Sequence, residues 1–176
     1  MEVLPYLVRD VDLGNKMLEV GPGPGAATEW LRHRVRRLVT VETDRGAAER
    51  LTESYASTNV TTIVGDATAM VFDEGSFDSV GCFTMLHHVP SDAAQNRLLT
   101  EVLRVLRPGG VLIGSDSIPS DGLHRFHECD TYNPIEPGTL VVRLQTIGFD
   151  RITINIDGTL KFIAHKPADA LSVASN

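Results

Sequence analysis

Short apolar segments alternating with helical patterns predict an α/β fold, a doubly wound Rossmann-like sheet of seven strands, mostly parallel with an antiparallel last strand. Three observations carry this reading. Apolar runs of strand length recur between stretches whose apolar residues have helical spacing, as in strands joined by crossover helices. The first run stops abruptly at Gly21-Pro22-Gly23-Pro24-Gly25. The last two runs are joined by Asp157-Gly158, a hairpin signal that closes an otherwise parallel sheet with an antiparallel edge.

The elements follow in order. Lys16–Val20 reads as a buried first strand, residues 26–33 as a helix and residues 38–42 as a second strand. Residues 46–55 read as a helix with Asp44 or Thr43 as its cap, since a short polar side chain can accept from the first-turn amides. Val60–Val64 and Phe77–Phe83 read as the third and fourth strands. Leu98, Leu99, Val102, Leu103 and Leu106 recur at helical spacing over residues 92–106, with Ser91 as cap. Arg107-Pro108-Gly109-Gly110 ends that helix and leads into a fifth strand, residues 111–115. Residues 136–147 read as a helix ended by Gly148, followed by strands over 149–156 and 159–165. Residues 117–135 form a long connection of the kind that serves as a substrate lid.

Composition narrows the classes. The 176 residues are read as a single domain over 1–176, long enough for a full core. No apolar run reaches the roughly 20 residues of a membrane helix. No signal segment follows Met1, and two cysteines make no disulfide framework, so a cytoplasmic protein is expected. The net charge of −7 argues against nucleic acid, and no membrane partner is expected. The basic run Arg32, His33, Arg34, Arg36 and Arg37 reads as a solvated face at a helix end. Nothing in the sequence indicates an oligomeric state.

The glycine loop admits two ligand classes. Gly21-x-Gly23-x-x-Ala26, with Glu42 about 20 residues on, satisfies the dinucleotide fingerprint. Electrostatics separates the classes. A dinucleotide lays an anionic pyrophosphate on free N–H groups at a helix start. Here Glu19 puts a carboxylate beside that position, and Pro22 and Pro24 have no N–H to give. S-adenosylmethionine carries a sulfonium and an ammonium group instead, and a carboxylate suits both.

The motifs from about residue 16 to 166 resemble class I S-adenosylmethionine-dependent methyltransferases, particularly the small-molecule group that includes quinone-biosynthesis methylases. Leu18-Glu19-Val20-Gly21-Pro22-Gly23-Pro24-Gly25 resembles the family's first motif. The resemblance implies that Glu19, Gly21, Pro22, Gly23 and Gly25 hold the methionine end. It implies that Glu42, with Thr43 beside it, binds the ribose hydroxyls, and that Asp66 with Ala67 binds adenine. Phe83 and Thr84 would lie beneath the methionine moiety. Arg107-Pro108-Gly109-Gly110 resembles the turn before the fifth strand. A strand-end solvated acid at Glu42 and an Asx turn at Asp66 are the plain structural alternatives.

His87 and His88 follow the fourth strand and are the candidate catalytic bases, since histidine takes a proton near neutral pH. The alternative is that the pair shapes the loop and touches cofactor. His124, His127 and Cys129 match no zinc spacing, so no metal is expected. With Phe126 and Tyr132 they read as an aromatic lid. Members of this group commonly carry extra helices before the first strand, whereas about fifteen residues precede it here. The substrate wall is then expected from the 117–135 connection or another subunit, or is lacking. The expected function is methyl transfer from S-adenosylmethionine to a small-molecule acceptor. A non-catalytic cofactor-binding module and an NAD-dependent oxidoreductase are the alternatives.

Overall fold

A computed structural model describes residues 8–118 and 131–168. In chain order the elements are β1 (Lys16–Val20), α1 (Ala26–Leu31), β2 (Arg37–Glu42), α2 (Arg45–Ser54), β3 (Val60–Val64) and β4 (Phe77–Phe83). A 3₁₀ turn (Leu86–His88), α3 (Asp92–Val105), β5 (Leu106–Asp116), α4 (Pro137–Ile147), β6 (Asp150–Ile156) and β7 (Leu160–His165) follow. The seven strands form one sheet in the order β3-β2-β1-β4-β5-β7-β6, the doubly wound mixed sheet that the sequence predicts.

Strand reversal begins at β1, whose chain neighbour β2 lies on one side and β4 on the other, both parallel. That switch opens a crevice at the carboxyl ends of β1, β2 and β4, where doubly wound sheets bind ligands. Covered on both faces, β1 is apolar at consecutive positions, with Met17, Leu18 and Val20 all buried. One face packs Leu18, Val80 and Leu112 against Leu98, Leu99 and Val102 of α3 and Leu140 and Leu144 of α4. The other packs Met17, Leu38, Val111 and Ile113 against Leu31 and Val35 and the entering residues Val8 and Leu13.

The last strand in the chain, β7, is antiparallel as expected, but it is not the edge. The chain leaves α4 onto the outer position as β6, which runs parallel to the body of the sheet. Turning at Asp157 and Gly158, it then slots β7 between β5 and β6. Phe162 of β7 crosses Gly114 of β5, where a side-chain Cβ would meet the Phe162 ring at 2.1 Å. Glycine there is what lets the inserted strand pack.

Element ends differ where a distant side chain intervenes. Helix α1 stops at Leu31 rather than residue 33, because the Asn59 side chain donates to the carbonyls of Arg32 and Val35 at 2.8 Å each. The strand β5 starts at Leu106, ahead of the expected residue 111. Its register against β4 jumps between Phe77 and Ser79 to accommodate the Pro108-Gly109-Gly110 turn. The basic run sits at the amino end of β2, away from the carboxyl-end crevice. Arg32 and His33 pair with Glu29, and Arg34 lies 3.2 Å above the Trp30 ring. Among the described residues no helix is long and apolar enough to cross a membrane.

Candidate functional site

The carboxyl-end crevice is a cavity of about 1140 Å³. Its first wall is the loop after β1. Gly21 and Gly23 adopt φ of +60° and +53°, which L side chains rarely take. A Cβ on Gly23 would point into open space, so its bare backbone faces the cavity with Pro22 and Pro24. The loop's amides are mostly spent: Gly21 N donates to the Val41 carbonyl and Gly25 N to that of Pro22, both at 3.0 Å. With two prolines also lacking N–H, little is left to hold a pyrophosphate.

Glu19 lies on the cavity wall yet is 1% exposed. Among the described residues its carboxylate takes one hydrogen bond, from the Thr28 hydroxyl, 2.6 Å from Oε2. Burial pushes its carboxyl up from 4.5 to about 7, against the smaller lowering effect of Thr28. A buried acid with a single neutral donor is an acid prepared for a cation.

Glu42, Thr43 and Asp44 line the next stretch, after β2. Glu42 Oε1 accepts from the Asp44 amide at 3.1 Å and the Thr43 hydroxyl at 3.4 Å. Asp44 caps α2 through the Ala47 amide at 2.6 Å. After β3, Asp66 and Ala67 line the cavity, with Asp66 Oδ1 held in an Asx turn by the Thr68 amide at 2.7 Å. The turn reading of Asp66 and its place on the cavity therefore coexist. Phe83 and Thr84 form the floor beyond β4. Thr84 holds φ of +54°, a conformation that costs about 1–2 kcal/mol in a residue with a Cβ. Its amide is locked to the Ser115 carbonyl at 2.7 Å.

Two expected site residues stand elsewhere. Gly25 is buried behind the loop and absent from the cavity wall. A Cβ there would meet Leu51 and the Tyr55 hydroxyl at 3.0 Å, so its smallness serves helix packing. His87 is 3% exposed and turns inward, its Nδ1 2.5 Å from Oδ1 of the fully buried Asp116. That corrects its reading as a base at the reacting atom, because an imidazole pinned beneath the wall does not reach into the cavity. Only His88 of the pair lines it.

Sequence reasoning missed the far end of the cavity, formed by Ser115, Asp116, Ser117 and Thr159. An acid closing a buried apolar strand, Ile113-Gly114-Ser115-Asp116, was the available signal. Asn133 donates its amide to the His87 carbonyl at 2.7 Å, and buried Gln95 bonds the Leu86 and Asn133 carbonyls at 2.9 Å each. Among the described residues no cluster of metal-binding side chains occurs. Most of the expected lid, with His124, Phe126, His127 and Cys129, lies outside the described residues.

Residues 18–114 match the family described as methyltransferase domain. Methyltransferase GfsG of Streptomyces halstedii is 29% identical over 119 residues, which cover 62% of this chain and 40% of that protein. The ribosomal RNA small subunit methyltransferase A of Acidobacterium capsulatum is 44% identical over 50 residues, 28% of this chain and 18% of that one. The chain thus spans less than half the length of either curated relative. A SAM-dependent methyltransferase from Methanosarcina mazei superposes with a TM-score of 0.75 at 18% identity, covering 94% of this chain and 98% of that one. That last likeness is one of fold.

Proposed function

The chain belongs to the methyltransferase domain family, and we propose from that premise that it transfers a methyl group from S-adenosylmethionine to a small-molecule acceptor. One observation carries the cofactor: Glu19, a buried carboxylate on the cavity wall whose single hydrogen-bond donor among the described residues is the Thr28 hydroxyl. A cationic ligand supplies the charge that burial withholds. The loop supports the same choice over NAD, since Pro22 and Pro24 have no N–H and the Gly21 and Gly25 amides are engaged within the protein.

Bound there, S-adenosylmethionine would supply an electrophilic methyl on a sulfonium, with a neutral thioether as the leaving group. The residues hold and orient. Glu19 and the backbone of Gly21 and Gly23 take the methionine end, Glu42 the ribose and Asp66 with Ala67 the adenine. Phe83 and Thr84 underlie the reacting region. His88 stands at the wall where it can receive the acceptor's proton. Rate comes from alignment in a partly dehydrated cavity, and the reaction requires no covalent protein intermediate.

A small acceptor is favoured over RNA by charge. Glu19, Glu42, Asp44, Asp66 and Asp116 line the cavity against Arg97 as cation, while the basic run is at the opposite end of the strands. A polyanion would meet repulsion at the reacting end. We read the chain as one cofactor-binding domain; the narrower likeness to quinone-biosynthesis methylases rests on the sequence motifs.

Titration calorimetry tests the cofactor. S-adenosylhomocysteine is expected to bind and NAD to give no heat. Binding of NAD without a response to S-adenosylhomocysteine overturns the assignment.

A further inference from the structure

The cavity extends past the cofactor residues. Glu19, Glu42 and Asp66 belong to the ends of β1, β2 and β3, whereas Ser115 and Asp116 close β5 and Thr159 precedes β7. With β4 between β1 and β5, the two ends are separated by about two strand spacings, roughly 10 Å. Resting on the reading above, we infer that Ser115, Ser117, Thr159 and His88 form the acceptor subsite, and that it takes a compact neutral or cationic molecule presenting a hydroxyl or amine and rejects carboxylate- or phosphate-bearing acceptors.

Ser115 is the central observation. It is 6% exposed and on the cavity wall, and its carbonyl is engaged by the Thr84 amide. Its hydroxyl has no hydrogen-bond partner among the described residues. A hydroxyl that opens onto the cavity with no partner inside the protein is free to bond a ligand group without first breaking an internal bond. Ser117 and Thr159 add hydroxyls around it from two different segments. Their small polar groups fit a molecule that both donates and accepts.

Asp116 sets the charge preference. Its carboxylate is fully buried and lies on the wall, accepting from His87 Nδ1 at 2.5 Å, the Ser117 amide at 2.7 Å and the His87 amide at 3.3 Å. No lysine or arginine pairs with it among the described residues. Lys161, opposite Ser115 in register, is not part of the wall. Arg97 of α3 also lines the cavity but makes no ion pair with Asp116. An acidic acceptor would be placed beside a buried carboxylate that no lysine or arginine among the described residues pairs with, and Coulomb repulsion is large where water is scarce. Transfer balances without another reactant: the methyl carbon–sulfur bond breaks as the acceptor's new bond to carbon forms, and the acceptor's O–H or N–H proton passes to His88 and on to solvent.

The test uses the full chain saturated with S-adenosylhomocysteine and three matched probes: catechol, 3,4-dihydroxybenzylamine and 3,4-dihydroxybenzoate. Calorimetry should show the first two binding at least tenfold more tightly than the benzoate. Ser115→Ala should weaken them severalfold while leaving S-adenosylhomocysteine affinity within twofold. Thr159→Val, on the exposed hairpin, should act in the same direction and guards against a folding defect at Ser115. Equal affinities, a preference for the benzoate, or binding by none of the three overturns the subsite. Failure of S-adenosylhomocysteine itself to bind overturns the cofactor reading, and this inference with it.

Discussion

Glu19 and Asp116 are both carboxylates buried at strand ends on one cavity, at 1% and 0% exposure, yet they are built for opposite purposes. Asp116 is saturated by three N–H donors and ties the Leu86–His88 turn to the end of β5. Glu19 has one hydroxyl, and burial pushes it up to about 7. Satisfying a buried acid internally makes it a structural rivet. Leaving it short of partners makes it a receptor that costs stability until a cation arrives. The end we assign to the cofactor therefore holds an acid short of partners, and the end we assign to the acceptor is held from below.

The largest expected effect separates the two acids. Asp116→Ala strands two buried N–H groups of His87 and the half-buried Ser117 amide, and should cost about 3–5 kcal/mol of folding stability. Urea denaturation reads that loss. If the variant unfolds at the same urea concentration as the parent, Asp116 is no rivet.

How far each end was legible follows from how it is assembled. Glu19 through Gly25 is contiguous, so both its chemistry and its strand–loop–helix setting were readable from local spacing. The ends of β1, β3 and β4 were placed to the residue, because short runs rich in β-branched and apolar residues bounded by Gly or short polar residues mark strands. Ser115, Asp116 and Thr159 meet only because β7 inserts beside β5, a pairing between distant segments that no local pattern encodes. The same non-locality hid the inward turn of His87: adjacent histidines look alike in sequence, and only Asp116 decides which is buried. The true sheet edge was missed for a related reason, since a hairpin signal fixes that two strands pair but not which lies outside.

The next effect is a pH dependence opposite to that of a saturated acid. The folded-state pKa of Glu19 is about 7, above its ordinary 4.5, so the folded protein holds this proton more tightly. Its stabilising contribution is fully present below pH 4.5 and is lost as pH rises through about 7, on the order of 3 kcal/mol in all. Cofactor binding runs the other way, because the cation needs the ionised form. Affinity for S-adenosylmethionine should rise about tenfold between pH 6 and 8, with close to one proton released on binding at pH 6. Calorimetry in buffers of differing ionisation enthalpy reads that proton. Glu19→Gln should flatten the affinity profile, weaken binding and stabilise the unliganded protein above pH 7. A steep profile persisting in Glu19→Gln would assign the proton to another group.

The smallest effect sharpens the comparison within the cofactor end. Glu42 is half-buried, and Oε1 is already aimed by the Asp44 amide and the Thr43 hydroxyl. A carboxylate so oriented has little freedom left to lose when it bonds two ribose hydroxyls, and both bonds are charge-assisted. Asp66 is exposed, with Oδ1 engaged by the Thr68 amide, so its bond to an adenine amino group would compete with water. Glu42→Ala should therefore weaken S-adenosylhomocysteine by about 1.5–3 kcal/mol, and Asp66→Ala by about 0.5–1.5 kcal/mol. Neither should disturb the core, since both side chains lie at strand ends facing the cavity. Loss of the Thr68 bond makes Asp66→Ala the more ambiguous of the two, so Asp66→Asn is the better probe. Its amide oxygen can still accept from Thr68, while the unit charge offered to adenine is gone. An Asp66→Asn protein that binds as the parent does, beside a weakened Glu42→Ala, would place the adenine on the Ala67 backbone and leave Asp66 as a turn residue alone.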